Sequence, residues 1–193
     1  SRTDFRCMVG LNGSIRGLTT QVKDGKHVSI TNENQAWTQK KYKNKWATYM
    51  ETLIGHEGHG SLFAELKRRG WASDLRSGVG AGGIDSSTAG ALFGTTIKLP
   101  DDGLTHVDDV IGLFFAYVNM LRAKGPQEWF WNEIKQLADI DFRFREPEDA
   151  SEYSERLVAD IRKYAPEDIL RGADLFETYK PEEIREIIDL MTP

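Results

Sequence analysis

Cysteine is nearly absent from this sequence, since Cys7 is the only one in 193 residues. A lone cysteine cannot close an internal disulfide, which favours a reducing compartment over secretion. The sequence also lacks an apolar run of the about 18–20 residues that a membrane span needs. Its first four residues lack the apolar core of a signal peptide. We therefore expect a cytoplasmic protein with no membrane partner.

The chain has no strong overall charge, with 25 Lys+Arg against 30 Asp+Glu. The two signs are unevenly placed: residues 1–100 hold 14 basic and 8 acidic side chains, whereas residues 101–193 hold 11 basic and 22 acidic. The acidic second half disfavours a nucleic-acid surface, and we predict no nucleic-acid partner. The asymmetry instead favours contacts with other domains of a larger polypeptide. The densest basic run, residues 40–45, is predicted to be a solvated loop that leads into a helix.

The hydrophobic periodicity predicts an α+β fold, with a few strands in the first half and packed helices in the second. Two β-rich segments, Ile15–Val22 and His27–Thr31, are separated by the hairpin signal Asp24-Gly25. Apolar spacing then predicts a helix from Trp46 that Gly55 closes. The next predicted elements are a short helix from Ser61 to Gly70, a strand from Ala91 to Leu99, and four or five further helices.

The same periodicity predicts which side chains are buried. Six positions should form part of the core: Trp46, Leu53, Val107, Phe114, Phe130 and Ile134. Trp129 and Leu137 are also predicted to face inward. Another helix is marked by four positions: Tyr153, Leu157, Ile161 and Tyr164. The Gly-rich stretch from Gly80 to Ser87 is predicted to be mobile.

The segment His56-Glu57-Gly58-His59 invites a zinc interpretation, but its spacing fits no zinc peptidase motif. A zincin needs His-Glu-x-x-His, and the inverted motif needs His-x-x-Glu-His. The stretch from Gly78 to Gly83 matches the dinucleotide pattern Gly-x-Gly-x-x-Gly, but a loop rather than a helix is predicted after it. There is no Gly-x-Ser-x-Gly. We therefore predict no metal site, no cofactor and no catalytic residue in this chain.

Two blocks of the sequence resemble a known family. The first reads TLIGHEGHGSL from Thr52 and continues as AELKRRGW from Ala64. The second reads LRAKGPQEW from Leu121, followed by Phe142-Arg143-Phe144, and the segment 164–170 fits the same pattern. By the order and spacing of these blocks, the chain from about residue 15 onward resembles the second domain of the pitrilysin family of inverted-zinc-motif metallopeptidases, in its insulysin and nardilysin branches.

The resemblance implies a pitrilysin-type domain, with a small, mostly antiparallel sheet packed by several helices. Residues 15–193 would form a single middle domain, and residues 1–14 an N-terminal extension of uncertain order. Family members carry four related α+β domains around a chamber for peptides, and only the first domain holds the zinc. The resemblance therefore implies a non-catalytic domain whose partners are other domains of the same polypeptide and peptide substrates, with zinc confined to the catalytic domain of the full-length enzyme.

The resemblance also implies a peptide-binding exosite at five positions: Gly55, Glu57, Leu75, Ser77 and Gly78. The Glu57 carboxylate would pair with a peptide α-ammonium, and an exposed strand from Leu75 to Gly78 would add an extended peptide. The sequence departs from the family pattern at three positions, which are Thr52 for histidine, His59 for proline and Ser77 for glycine. The alternative is a structural or protein-interaction domain of an inactive family member.

Overall fold

The computed structural model describes residues 4–11, 27–34, 42–79 and 91–191. The described residues form a four-stranded sheet and six α-helices, which confirms the predicted α+β class. The predicted strand Ile15–Val22, the Asp24-Gly25 hairpin and the predicted mobile stretch Gly80–Ser87 lie outside the described residues.

The sheet is mostly antiparallel, as the family resemblance implied. Its strands are β1 (Asp4–Leu11), β2 (His27–Asn34), β3 (Asp74–Val79) and β4 (Ala91–Lys98). They lie in the order β1-β2-β4-β3, in which β4 pairs antiparallel with β2 and β3, and only β1 and β2 are parallel. Strand β1 thus lies within residues 1–14, which the sequence analysis predicts to be an extension, and β3 lies at the opposite edge of the described sheet.

Two short helices precede β3. Helix α1 (Trp46–Ile54) starts where the periodicity predicts. It ends before Gly55, whose N–H donates the last helical hydrogen bond to the Glu51 carbonyl (2.8 Å). Helix α2 (Leu62–Arg68) begins after Ser61, whose hydroxyl accepts a hydrogen bond from the Ala64 N–H (3.1 Å). This capping bond satisfies one of the backbone donors that the first turn of a helix leaves free.

The long helix α3 (Val107–Lys124) runs through the core and follows a short 3₁₀ helix, Asp102–His106. The segment Asp102–Lys124 is long and apolar enough to span a membrane by length and composition alone. Within the domain, however, α3 buries a stripe of five side chains: Val110, Phe114, Phe115, Val118 and Leu121. It packs against α2 and α6 (Pro181–Leu190), as expected for the core helix of a globular domain.

The predicted core is mostly confirmed. Four of the six predicted side chains are buried, namely Trp46, Phe114, Phe130 and Ile134, and the other two, Leu53 and Val107, are partly buried against them. The inward orientation predicted for Trp129 and Leu137 is wrong, because their side chains are 65% and 54% exposed.

The rotation of α4 (Glu128–Arg143) explains this error. The Gln127 N–H donates to the Tyr49 hydroxyl (2.9 Å), and Trp131 Nε1 donates to the Asn44 carbonyl (3.1 Å). These two hydrogen bonds hold Phe130 and Trp131 toward the core. Because α4 carries apolar residues around more than half of its circumference, periodicity alone does not specify which side faces the core.

The basic segment Tyr42–Lys45 attaches the start of α1 to the acidic C-terminal part of the chain. Tyr42 and Lys43 both contact the Asp168 carboxylate, and Lys43 Nζ also lies 2.9 Å from Glu177 Oε1. Asn44 donates to Glu183, and Lys45 Nζ donates to the Gly172 carbonyl (2.6 Å). The solvated loop predicted for residues 40–45 is therefore wrong for residues 42–45. Basic side chains from the first half of the sequence thus meet acidic side chains from the second half.

Candidate functional site

The turn from Gly55 to Gly60 connects α1 to α2 and carries the first predicted site residues. The His56 Nδ1 accepts a hydrogen bond from the Gly58 N–H (3.0 Å), and the Ser61 N–H donates to the Gly58 carbonyl (3.1 Å). Gly60 has φ 84°, a left-handed conformation that favours glycine. These features fix the path of the turn and leave its longer side chains at the surface.

Glu57 is exposed at the tip of this turn. Within the described ranges no lysine or arginine lies within ion-pair distance of its carboxylate. An exposed carboxylate without an internal cation is available to a positively charged ligand from solution. This placement is compatible with the predicted contact between Glu57 and a peptide ammonium.

Strand β3 positions the other predicted site residues at the edge of the described sheet. Leu75 and Ser77 are 6% and 8% exposed, and both side chains point into the domain. The Ser77 Oγ lies 2.8 Å from Oγ1 of Thr95, its cross-strand partner on β4. Gly78 is buried as well, so the exposure predicted for the strand from Leu75 to Gly78 is wrong at these three residues. Strand β3 nevertheless lies at the edge of the described sheet, where main-chain N–H and C=O groups that point away from β4 have no strand partner among the described residues.

Gly78 is held in contact with a residue that the sequence analysis did not select. Its φ of 143° favours glycine, and a Cβ placed on it would lie 2.7 Å from Cδ of Glu51. The Glu51 carboxylate thus covers the backbone of β3 at this point. Burial raises the pKa of the Glu51 carboxyl, although the residue as a whole is exposed.

Glu51 connects the two predicted site segments. Its backbone carbonyl accepts the hydrogen bond from Gly55 that ends α1, and its side chain lies against Gly78 at the end of β3. The structure therefore brings both Gly55 and Gly78 into contact with one residue, the first through its backbone carbonyl and the second through its carboxylate. Sequence reasoning missed Glu51 because the only signal was its position one helical turn before Gly55.

The histidines in the described ranges do not form a metal centre. Among these residues, no three His, Cys, Asp or Glu side chains are grouped closely enough to hold an ion. His56 and His59 are exposed in the turn. His106 stacks on Trp71 with ring centroids 4.6 Å apart, and its Nδ1 lies 3.0 Å from the Asp109 carboxylate. Both contacts of the His106 ring are therefore with neighbouring side chains of the fold.

Comparison with known proteins identifies the relatives of this chain. The family model described as the peptidase M16 inactive domain matches residues 13–137, and that for the middle or third domain of peptidase M16 matches residues 142–193. A nardilysin-like protein of Arabidopsis thaliana is 38% identical over 152 residues, which are 79% of this chain and 15% of that protein. Human insulin-degrading enzyme is 37% identical over 156 residues, which are 80% of this chain and 15% of the enzyme.

The fold comparison agrees. The crystal structure of pitrilysin superposes with a TM-score of 0.80 at 24% identity, covering 87% of this chain and 18% of pitrilysin. The chain belongs to the peptidase M16 family of metallopeptidases and carries its inactive, non-catalytic type of domain. Its particular relatives are insulin-degrading enzyme and nardilysin, which confirms the resemblance found in the sequence. The chain spans about 15% of the length of these curated relatives.

Proposed function

We propose that this domain binds peptides and helps to form the substrate chamber of a longer zinc metallopeptidase, while another domain of the same polypeptide cleaves the peptide. The observation that carries the proposal is the edge strand β3, whose main chain is joined through Glu51 to the turn that bears Glu57. An extended peptide recognises such an edge by adding a strand to it.

Each element of the site has a distinct role in this proposal. The main-chain groups between Leu75 and Gly78 that point away from β4 supply hydrogen bonds that do not depend on the peptide sequence. The exposed Glu57 carboxylate pairs with the peptide α-ammonium and fixes the register of the added strand. Gly55 allows the turn to leave α1 directly beside Glu51. The catalytic zinc of such an enzyme belongs to a different domain.

A second candidate is a structural or protein-interaction domain of a family member without peptidase activity. The buried side chains of Leu75 and Ser77 favour it, because a strand that packs the core needs no ligand. The presence of His-x-x-Glu-His elsewhere in the full-length polypeptide separates the two candidates, since only an active peptidase requires that motif.

The variant Glu57→Gln in the full-length protein tests the peptide-binding role. A charge-assisted hydrogen bond is worth about 1.5–3 kcal/mol. Glu57→Gln should therefore lower the affinity for long peptides with a free amine by roughly 10- to 150-fold, and their cleavage should slow accordingly. Short fluorogenic peptides, which cannot reach both Glu57 and the zinc, should be cleaved almost normally. The control is Glu186→Gln, at an exposed glutamate on α6.

Acetylation of the peptide N-terminus should reproduce the effect of Glu57→Gln, and combining the two changes should add little further loss. If acetylation and Glu57→Gln both leave long-peptide cleavage unchanged, Glu57 does not anchor the amine, and the second candidate is favoured.

A further inference from the structure

The carboxylate of Glu51 rests with its flat face on the backbone of Gly78. A Cβ placed on Gly78 would lie 2.7 Å from Cδ of Glu51 and 3.0 Å from each of its two carboxylate oxygens. Because the oxygens are equally far and only slightly farther than the carbon between them, the approach is perpendicular to the plane of the carboxylate. Carboxylate oxygens accept hydrogen bonds mainly in that plane. The contact with Gly78 therefore does not block the positions at which the two oxygens bind a donor.

The Glu51 carboxylate has neither a hydrogen-bond donor nor a cation as a partner within the described ranges. Burial raises the pKa of its carboxyl, and no neighbouring donor or charge lowers it. Two segments meet at this carboxylate, residues 46–66 and residues 77–97, and neither contains a lysine or an arginine. Arg76, just before the second segment, pairs with Asp74 (3.1 Å). A partly desolvated carboxylate is stabilised by a nearby cation, and the two segments that meet here supply none.

Glu51 lies at the edge of the described sheet to which we propose that peptides bind. Gly78 belongs to β3, which ends the strand order β1-β2-β4-β3. A strand added to β3 would lie about 4.7–4.9 Å away, and the Cβ atoms of directly opposite residues would be about 4.5–5.5 Å apart. The Glu51 carboxylate lies where a side chain of residue 78 would begin, and Glu51 is exposed. A lysine or arginine opposite Gly78 therefore begins within reach of this carboxylate.

We propose that Glu51 selects peptides that carry a lysine or arginine opposite Gly78 in the strand added to β3. The contact is a charge-assisted hydrogen bond from the ammonium or guanidinium group of the peptide to the Glu51 carboxylate. This inference rests on the proposed function, to which it adds a preference for the side chain at one position of the peptide. Glu57 recognises the α-ammonium that every peptide with a free N-terminus carries, whereas Glu51 distinguishes one peptide from another.

Strand geometry restricts this selection to alternate residues of the peptide. Successive side chains of a strand point to opposite faces of the sheet. The residues just before and just after the one opposite Gly78 therefore point away from Glu51, and a lysine there gains nothing from its carboxylate. A general attraction between a cationic peptide and an acidic protein, by contrast, depends little on the position of the lysine.

The affinity of the full-length protein for a series of peptides tests this proposal, with a zinc chelator present to prevent cleavage. The peptides have about twelve residues, a free N-terminus and a fluorophore at the C-terminus. Each consists of alanine and threonine except at one position, from the second to the seventh residue, which holds either lysine or its uncharged analogue norleucine. At one position lysine should bind about 5- to 20-fold more tightly than norleucine, and at the two adjacent positions the two should bind equally.

The variant Glu51→Gln should abolish the advantage of lysine over norleucine, because it removes the charge and retains the size of the side chain. The matched control is Glu155→Gln, at an exposed glutamate on α5 (Ala150–Ile161), which should retain the wild-type advantage. The proposal is overturned if no position favours lysine, if adjacent positions favour it equally, or if the advantage persists in Glu51→Gln. It is also overturned if Glu51→Gln weakens the lysine and norleucine peptides equally and N-acetylation removes this effect, because Glu51 would then bind the α-ammonium.

The norleucine peptides separate a failure of this proposal from a failure of the proposed function. Their affinity should fall in Glu57→Gln and on N-acetylation if the turn and β3 bind peptides. If it falls but no position favours lysine, the site binds peptides and Glu51 does not select among them. If neither change lowers the affinity and no position favours lysine, both the proposed function and the role of Glu51 are wrong.

Discussion

The carboxylate of Glu51 lies against the backbone of Gly78, one residue before the end of β3. The contact exists because Gly78 has no side chain and has a φ of 143°, which other residues rarely adopt. Through this contact, the C-terminal end of α1 is held against the edge of the sheet. The turn with Glu57 therefore leaves α1 close to the strand that we propose binds peptides.

Replacing Gly78 with alanine tests the structural importance of this contact. Alanine at a positive φ destabilises a fold by more than about 1 kcal/mol, and the new Cβ also meets the Glu51 carboxylate. We expect a lower midpoint of urea unfolding for Gly78→Ala. Adding Glu51→Ala should recover the part of the loss that the clash causes.

The matched control is Gly112→Ala on α3, where a Cβ has no neighbour within 4 Å and the backbone is helical. This substitution should stabilise the protein by about 0.5–1 kcal/mol. Similar losses at Gly78 and Gly112 would contradict the special conformation assigned to Gly78.

The hydroxyl pair of Ser77 and Thr95 is the second target. Thr95 is fully buried, and Ser77 is its only side-chain partner among the described residues. Ser77→Ala leaves a buried hydroxyl unsatisfied, which costs about 1–3 kcal/mol. The double variant with Thr95→Val removes both polar groups and should be nearly as stable as the wild type. Additive losses in urea unfolding would show that the two hydroxyls do not depend on each other.

The sequence predicted the elements of the fold better than it predicted their orientations. The starts of α1 and α2 carry local signals, the apolar spacing from Trp46 and the capping serine Ser61, and both were located correctly. The rotation of α4 depends on hydrogen bonds to residues far away in sequence, such as the one from Gln127 to Tyr49. No local pattern encodes such a bond, and the periodicity therefore predicts wrongly that Trp129 faces inward.

The candidate site shows the same division. Family resemblance assigned Glu57 and the strand from Leu75 to Gly78 to the site, and the structure places Glu57 in an exposed turn and Leu75 on β3. The role of Glu51 depends on the packing of α1 against β3, which brings residues 51 and 78 together across the intervening chain. The local sequence also does not predict the ion pair between Lys43 and Asp168, because these residues lie 125 positions apart.

Paired truncations distinguish core from surface aromatic residues. Phe114 is 1% exposed, and Phe114→Ala should cost about 3–5 kcal/mol because it removes packing and leaves a cavity. Trp129 is 65% exposed in this chain, so Trp129→Ala should change the free energy of unfolding by less than about 1 kcal/mol. Chemical denaturation of both variants as the 193-residue chain measures the difference. Comparable losses would mean that α4 is rotated differently from the structure.

Lys45 predicts an unusual dependence of stability on pH. Burial lowers the pKa of its ammonium from 10.5 to about 8, an effect that the nearby Asp174 partly opposes. Below pH 8 the lysine is protonated in both the folded and unfolded states, and its contribution does not change. Between pH 8 and 10.5 the unfolded state binds more protons, so the free energy of unfolding should rise with pH.

The expected gain between pH 8 and pH 9.5 is on the order of 1–2 kcal/mol, since one pKa unit corresponds to about 1.4 kcal/mol. The measurement should stop below pH 10, because burial raises the pKa of Tyr49 and Tyr117, and ionisation of tyrosine then favours the unfolded state. Lys45→Met removes the titrating group but retains most of the side-chain volume, so its stability should lack this rise. The prediction fails if the free energy of unfolding of the wild type and that of Lys45→Met change in the same way from pH 7 to 9.5. Burial against Gly172 and Tyr164 would then not destabilise the Lys45 ammonium.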